Sequence, residues 1–427
     1  MNVSNEKVSN RWIVALSGFL MQVALGGVYA WSVFRTPLVH QLHASIAQVS
    51  LTFTITIFTL GWAAFAGGLW MRKQGPRVVG VTGGVLYGLG LLLASLSGHG
   101  LWVLYLGYGV LGGAGIGLSY IVPIATLVKW FPDRRGFITG VAVAGFGAGA
   151  LVTAPIANHL IQSVGVLQTF AWLGVGSLVL VTGSATFMRQ PPSGWQPAGW
   201  RPAAGASTIA GSGCTLREAL GHWQWYALWA VLFLNVTAGI SIISQASPMA
   251  QEITGVNAVI AATMVGIISL ANGAGRFLWA WLSDLIGRPW VFFSMFVLQA
   301  GLFLALPSIH SFGLFTGFCF VILLCYGGGF GTMPAFCADY FGARDVGSIY
   351  GLMLTAWGFG SVLGPILIAH VRQSTGKYEQ ALLAVAAIMI VASIVPLFLR
   401  AGMRSAASSP KTSPKAPAPL VERSQQA

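Results

Sequence analysis

Charge is the scarcest component of this sequence. Among 427 residues there are 22 basic and 9 acidic side chains, 7% of the chain, where a soluble globular domain has about 25%. So little polar material cannot cover a water-facing surface. The 56% hydrophobic content and mean hydropathy of +0.76 leave the lipid bilayer as the solvent. Cysteine is scarce too. Cys214 falls in a loop, and Cys319, Cys325 and Cys337 share one apolar stretch at spacings of 6 and 12 that do not fall on one helical face. They read as small buried thiols, and no metal-ligand spacing is present. Deep acids are missing altogether: Glu6, Asp133, Glu218, Glu252, Asp284, Asp339, Asp345, Glu379 and Glu422 all fall in loops or at helix ends. With the histidines scattered near helix ends, no nucleophile, metal cluster or acid pair exists for a membrane-embedded enzyme. No ATP-binding motif points to a pump, so no catalytic residue, cofactor or metal is expected. The first apolar run, about 23 residues long with no small-residue cleavage site after it, reads as a retained helix rather than a signal peptide.

Apolar runs of roughly 20 residues, enough to cross a hydrocarbon core of about 30 Å, number twelve: 12–34, 46–71, 78–97, 101–128, 137–160, 166–188, 222–246, 256–282, 289–307, 311–338, 348–370 and 378–399. An even number of crossings leaves both termini on one side. Eighteen of the basic residues lie in the loops and ends of that side, and only Arg35, Arg372 and Lys377 lie on the other. Short cytoplasmic loops hold the excess of Lys and Arg. A cytoplasmic location of both termini in a bacterial inner membrane follows. The net charge of +13 is then topology signal, and nucleic acid is excluded as a partner. One basic residue remains, and it lies inside a span: Arg276.

The chain also repeats itself. Gly136, Gly140, Gly147 and Gly149 recur 211 positions later as Gly347, Gly351, Gly358 and Gly360, and the loop holding Gly75 and Arg77 matches the one holding Gly287 and Arg288. Between the copies lies a segment rich in Pro, Gly, Ala and Ser. This divides the chain into a six-helix bundle over 1–189, a linker over 190–221, a second six-helix bundle over 222–400 and a Ser, Pro, Ala and Lys-rich tail over 401–427 expected to be disordered. Two parallel six-helix repeats are the build of major facilitator transporters. Leu282-Ser283-Asp284-Leu285-Ile286-Gly287-Arg288 resembles that superfamily's signature loop; the first-half copy departs from it, with Arg72 where an acid is usual. Within the superfamily, Gly26–Phe34 (GGVYAWSVF), Trp130–Gly136 (WFPDRRG) and Asn272–Asp284 (NGAGRFLWAWLSD) resemble the oxalate/formate antiporter family, whose relatives carry pyruvate, lactate and similar carboxylates. The resemblance implies an all-α fold of twelve transmembrane helices in two bundles, expected to act as a monomer.

Arg276 precedes Asp284, the inner end of its helix, by 8 residues, or roughly 12 Å, and so lies near the midplane. A guanidinium there costs at least about 2.5–3.5 kcal/mol to insert and has no buried acid to pair with. A small carboxylate anion completes it most simply, since its planar fork suits a carboxylate bidentately. The alternative is an arginine satisfied by helix carbonyls and tyrosine hydroxyls. By the same depth reckoning Tyr120 and Trp357 can line one cavity with it, and Phe330 occupies the second-half place of Tyr120. Asn272 lies one turn from Arg276 on the same face, while Tyr29 and Tyr326 lie nearer the outside. Each of these aromatics can equally be packing. The resemblance implies that Tyr29, Tyr120, Tyr326, Phe330 and Arg276 line the substrate site, and that Trp357 replaces a second cation, a lysine. One cation favours a monocarboxylate such as pyruvate, lactate or formate over a dianion. A dicarboxylate exchanger and a carboxylate sensor that moves nothing are the competing readings. Related proton-linked carriers place an aspartate where this chain has Asn272, which cannot take a proton, so anion exchange, facilitated diffusion or symport with the proton held elsewhere remain. Gly327, Gly328, Gly329 and Gly331 before Pro334 suggest a bend in span ten, and Gly107-x-Gly109-x-x-Gly112 matches a dinucleotide fingerprint only formally, because no strand precedes it.

Overall fold

A computed structural model describes residues 10–192, 195–197 and 213–408, and these are almost wholly helical. In a bilayer no water is available to backbone groups, so each must bond within its own segment, and apolar runs become helices. In chain order they are α1 (Arg11–Leu25), a 3-10 turn (Gly26–Ala30) and α2 (Trp31–Leu42); α3 (Ile46–Ala94); α4 (Leu101–Leu104), a π-helical stretch (Tyr105–Gly112) and α5 (Gly113–Trp130); α6 (Arg135–Val164) and α7 (Val166–Ala185). After the short α8 (Leu216–Leu220) come α9 (Trp223–Thr254), α10 (Ala258–Ile286) and α11 (Arg288–Ala305). The chain closes with α12 (Phe312–Phe341), α13 (Val346–Met353), α14 (Thr355–Thr375) and α15 (Tyr378–Ser408).

Among the described residues, ten stretches are long and apolar enough to cross a membrane. One of them, Gln48–Ala94, has 47 residues, about 70 Å of helix, over twice what a crossing needs. It bends at Gly75 (φ 80°, ψ 170°), followed by Pro76, and folds back, since Gly67 packs on Leu118 and Gly83 on Ser119 of the same helix α5. That conformation suits glycine, and Gly287 adopts a similar one (φ 92°, ψ 147°) between α10 and α11. With α3 counted twice and the 29-residue α10 added, twelve crossings result.

Three expected spans differ in detail. The run expected over 12–34 is interrupted by the 3-10 turn, where Gly26 meets the Phe146 carbonyl so closely that a Cβ would overlap it. The run over 348–370 is two helices parted at Leu354, where the Thr355 hydroxyl donates to the Leu352 carbonyl at 2.7 Å. The formal dinucleotide fingerprint lies in the π-helical stretch, where its glycines let the backbone approach α3. Within the expected linker, Cys214 N–H donates to the Phe341 carbonyl at 2.8 Å, and Thr215 and Glu218 close a capping box on α8. The two Thr215 bonds, backbone first, hold the exposed Glu218 carboxyl below its ordinary range. Residues 409–427 of the expected tail and most of the linker lie outside the described residues.

The two halves meet along two seams. In one, α6 lies on α10, with Gly136 against the Ala280 carbonyl, Gly140 against the Arg276 carbonyl and Gly147 against Gly273. In the other, α13 and α14 lie on the first part of α3, with Gly347 against Gly68, Gly351 against the Ala64 carbonyl and Gly358 against Phe58. These are the glycines that recur at 211, and Gly68 and Ala64 correspond to Ala280 and Arg276 at an offset of 212. Small residues let the backbones approach this closely.

Ion pairs pin both seams at the end where the basic loops gather. The Asp284 carboxylate of α10 accepts from the Gly136 and Phe137 N–H groups at 3.1 and 2.8 Å, neutralising the positive end of α6. Arg288 joins it at 2.6 Å and reaches Asp339 at 3.0 Å, and Arg135 of the other half binds Asp339 at 3.1 Å. In the second seam the polarity is reversed: Arg72, at the place of Asp284, pairs at 3.0 Å with Asp345, the N-cap residue of α13. The first-half departure from the signature loop is therefore matched by an acid in the partner half. Arg77, the counterpart of Arg288, is exposed.

Candidate carboxylate site

Arg276 sits where the seams cross, on a stretch of α10 locked against α12. A Cβ on Gly327 would overlap the Asn272 carbonyl, one on Gly331 the Arg276 carbonyl, and one on Gly275 the Leu324 carbonyl. Gly328 and Gly329 press likewise on Trp279 and the Asn235 amide. These glycines do not break the helix: α12 runs unbroken from Phe312 to Phe341 with Pro334 inside it, and the glycines serve close packing.

The guanidinium is fully buried. Its Nε donates to Asn272 Oδ1 at 3.4 Å, one terminal nitrogen to the Val143 carbonyl at 3.5 Å and the other to the Tyr29 hydroxyl at 3.2 Å. Of five donors, one on each terminal nitrogen is left. The ion pairs among the described residues all involve other cations. Aromatic faces surround the charge, with Phe330, Phe146 and Tyr29 centroids 5.0, 5.2 and 5.8 Å from its central carbon, within cation–π range. These partners are weak company for a charge in a low-dielectric interior, where a carboxylate would bind far more strongly.

Trp357 faces the arginine as the other wall of the cage. Its ring lies 4.7 Å from Phe330, 5.8 Å from Phe146, 5.9 Å from Tyr120 and 6.3 Å from Tyr29. Tyr326 packs on Phe330 at 5.3 Å, and its hydroxyl faces Tyr29 and the Trp357 indole. The Tyr120 hydroxyl faces Arg276 and Tyr350. None of the Tyr120, Tyr326 and Tyr350 hydroxyls or the Trp357 Nε1 has a partner in hydrogen-bond geometry, although all are buried. Buried polar groups are normally bonded; the three at the cage, the Tyr120 and Tyr326 hydroxyls and the Trp357 indole N–H, are free to serve an acceptor-rich ligand.

All seven residues expected at the site, Arg276, Asn272, Tyr29, Tyr120, Tyr326, Phe330 and Trp357, come together. Phe146 completes the cage, and Tyr350 lies outside it, next to Tyr120; neither is anticipated from the sequence. The signal for Phe146 was the repeat itself, for 211 positions beyond it stands Trp357; the two counterparts meet ring to ring. Two amides brace the wall from behind, Gln22 donating to the Tyr120 carbonyl at 3.2 Å and Asn235 to the Tyr326 carbonyl at 3.1 Å. A cleft of about 490 Å³ lined by Arg134, Arg135, Asp284, Arg288 and Asp339 belongs to the ion-paired end and does not reach Arg276. No group of three or more His, Cys, Asp or Glu able to hold a metal exists among the described residues.

Comparison with known proteins agrees with this architecture. The family model of the Major Facilitator Superfamily matches residues 12–365 and, in a second match, 228–426. The chain is 27% identical to the oxalate:formate antiporter of Oxalobacter formigenes, over 91% of this chain and 92% of that protein. It is 24% identical to apicoplast pyruvate carrier 1 of Toxoplasma gondii, over 86% of this chain and 84% of the carrier. The fold matches a crystal structure of FucP, a major facilitator transporter, in the outward conformation, with a TM-score of 0.69 and 17% identity, covering 90% of this chain and 99% of that one.

Proposed function

Since the chain belongs to the Major Facilitator Superfamily, with relatives that are transporters rather than enzymes, we propose that it is a secondary transporter of small monocarboxylates such as pyruvate, lactate or formate, with the carboxylate held at Arg276. The observation that carries this reading is a fully buried guanidinium with no acid partner among the described residues, ringed by three unmatched polar groups, on Tyr120, Tyr326 and Trp357. A carboxylate would take the two free donors of Arg276, and the Tyr120 and Tyr326 hydroxyls or the Trp357 indole N–H would serve a further oxygen. The preference for one carboxylate over two rests on charge. A dianion at a single cation would leave one carboxylate uncompensated in a dry cavity. The indole at Trp357 suits an apolar end instead.

Anion exchange is the transport mode the site favours. An empty Arg276 is an uncompensated buried charge, so the crossing is easiest with an anion bound. The basic end of the helices is assigned to the cytoplasm of a bacterial inner membrane on the loop charges, with residues 1–189 and 222–400 as the two moving units joined by 190–221, working as a monomer. Similarity to the oxalate:formate antiporter supports a dicarboxylate exchanger as the second reading. Thermal unfolding of the purified protein against formate, acetate, lactate, pyruvate, oxalate and malonate tests the site. Monocarboxylates should raise the midpoint in the wild type and leave Arg276→Ala unmoved. Stabilisation that persists in Arg276→Ala would remove Arg276 from the site.

A further inference from the structure

The cage has an annex on its basic-end side. Tyr350 lies on α13, seven residues before Trp357, roughly 10 Å nearer the ion-paired end. Its side chain is fully buried and its hydroxyl has no partner in hydrogen-bond geometry. The hydroxyl it faces, on Tyr120, is unmatched as well and faces Arg276 in turn. A phenylalanine would fill this space equally well, so the two hydroxyls call for a ligand that packing does not explain.

The repeat supplies an internal comparison. The counterpart of Tyr350 at the 211 offset is Thr139 in α6, and the Thr139 hydroxyl is saturated, contacting the Arg135, Gly136 and Gly331 carbonyls at 2.9–3.0 Å. The α6 seam is thus closed by its hydroxyl, whereas the α13 seam keeps its hydroxyl in reserve. Toward the basic end from Tyr350 stand Lys129, near the end of α5 and within the electrostatic influence of Asp345, and then the Arg72–Asp345 pair that shuts the seam. The break at Leu354 places Tyr350 and Trp357 in separate helices.

We infer that the Tyr120 and Tyr350 hydroxyls form a second station for the transported anion, between Arg276 and the basic end. This rests on the carboxylate reading of Arg276. At the station the two hydroxyls donate to the carboxylate while Arg276 behind and Lys129 ahead balance its charge. The anion therefore leaves the guanidinium without crossing an apolar gap. Formation of the station belongs to movement rather than to first binding, so its loss slows transfer and leaves affinity alone.

The test compares wild type, Tyr350→Phe and Arg276→Ala, each purified and reconstituted, with carbon-labelled pyruvate as the probe. For Tyr350→Phe the expected results are an unchanged unfolding midpoint without ligand, a pyruvate Kd within about twofold of wild type, and a maximal counterflow rate lower by roughly three- to tenfold, the worth of one to two hydrogen bonds. Tyr350→Met serves the same comparison should the first variant fold poorly. An unchanged counterflow rate overturns the station. A Kd that weakens in step with the rate also overturns it, by placing Tyr350 in the Arg276 site itself. Pyruvate binding retained in Arg276→Ala, by contrast, overturns the underlying carboxylate reading, whatever Tyr350→Phe does.

Discussion

At the scale of residues, Arg276 stands out because its company is wrong for a structural cation. Three long hydrogen bonds and three aromatic faces offset part of the price of burial, and a bound anion would offset the remainder. On the proposed reading, Trp357 sets what that anion is. Replacing it by lysine adds a second cation opposite Arg276, and the expected result is a shift of uptake preference from pyruvate toward oxalate by at least about tenfold, the equivalent of 1.4 kcal/mol. An unchanged ratio in competitive uptake would remove charge counting as the basis of selectivity. Arg276 was legible in the sequence because a lone charge inside an apolar span is conspicuous against so few others. Tyr350 was not, because nothing in its local sequence says that its hydroxyl lacks a partner; that property exists only once α5 and α13 are packed. Phe146 was legible in principle through its 211-residue offset from Trp357, but an aromatic in a glycine-rich apolar helix carries no signal alone.

At the scale of elements, glycine placement decides which helices touch. The α10–α12 contact through Gly275, Gly327 and Gly331 fixes the backbone under Arg276. Gly331→Ala drives a methyl into the Arg276 carbonyl and should lower stability by about 1–3 kcal/mol through overpacking. At Gly301 on α11 a Cβ meets nothing within 4 Å, so Gly301→Ala should stay within about 0.5 kcal/mol of wild type. Thermal unfolding of the two variants checks this, and equal midpoints would contradict the packing account. Composition alone could not separate a flexible glycine run from a tightly packed one, since both need residues without a Cβ. The seams supply a second element-scale prediction. Arg72→Asp sets two acids against each other at Asp345 and should expose native Cys337, buried on α12 near the basic end, to maleimide when it is the sole cysteine kept. Adding Asp345→Arg should restore protection. A double variant labelled as fast as the single one would show that the pair does not hold the seam.

At the scale of the whole molecule, the twelve spans and the two-fold repeat were readable from hydropathy and glycine offsets, because a bilayer demands continuous apolar helices of nearly fixed length. The interruptions at Gly26–Ala30 and Leu354 were not, because a break costs little in hydropathy and is set by what the helix packs against. The two seams, alike in glycine packing and opposite in charge, close the basic end beneath a site that is itself buried. An alternating-access carrier with one buried cation should cross most easily when loaded. Uptake of labelled pyruvate into proteoliposomes, with and without pyruvate inside, tests the central claim most directly. The account predicts saturable uptake that internal pyruvate accelerates and that Arg276→Ala reduces to the level of protein-free vesicles. Uptake by Arg276→Ala equal to that of the wild type would contradict it.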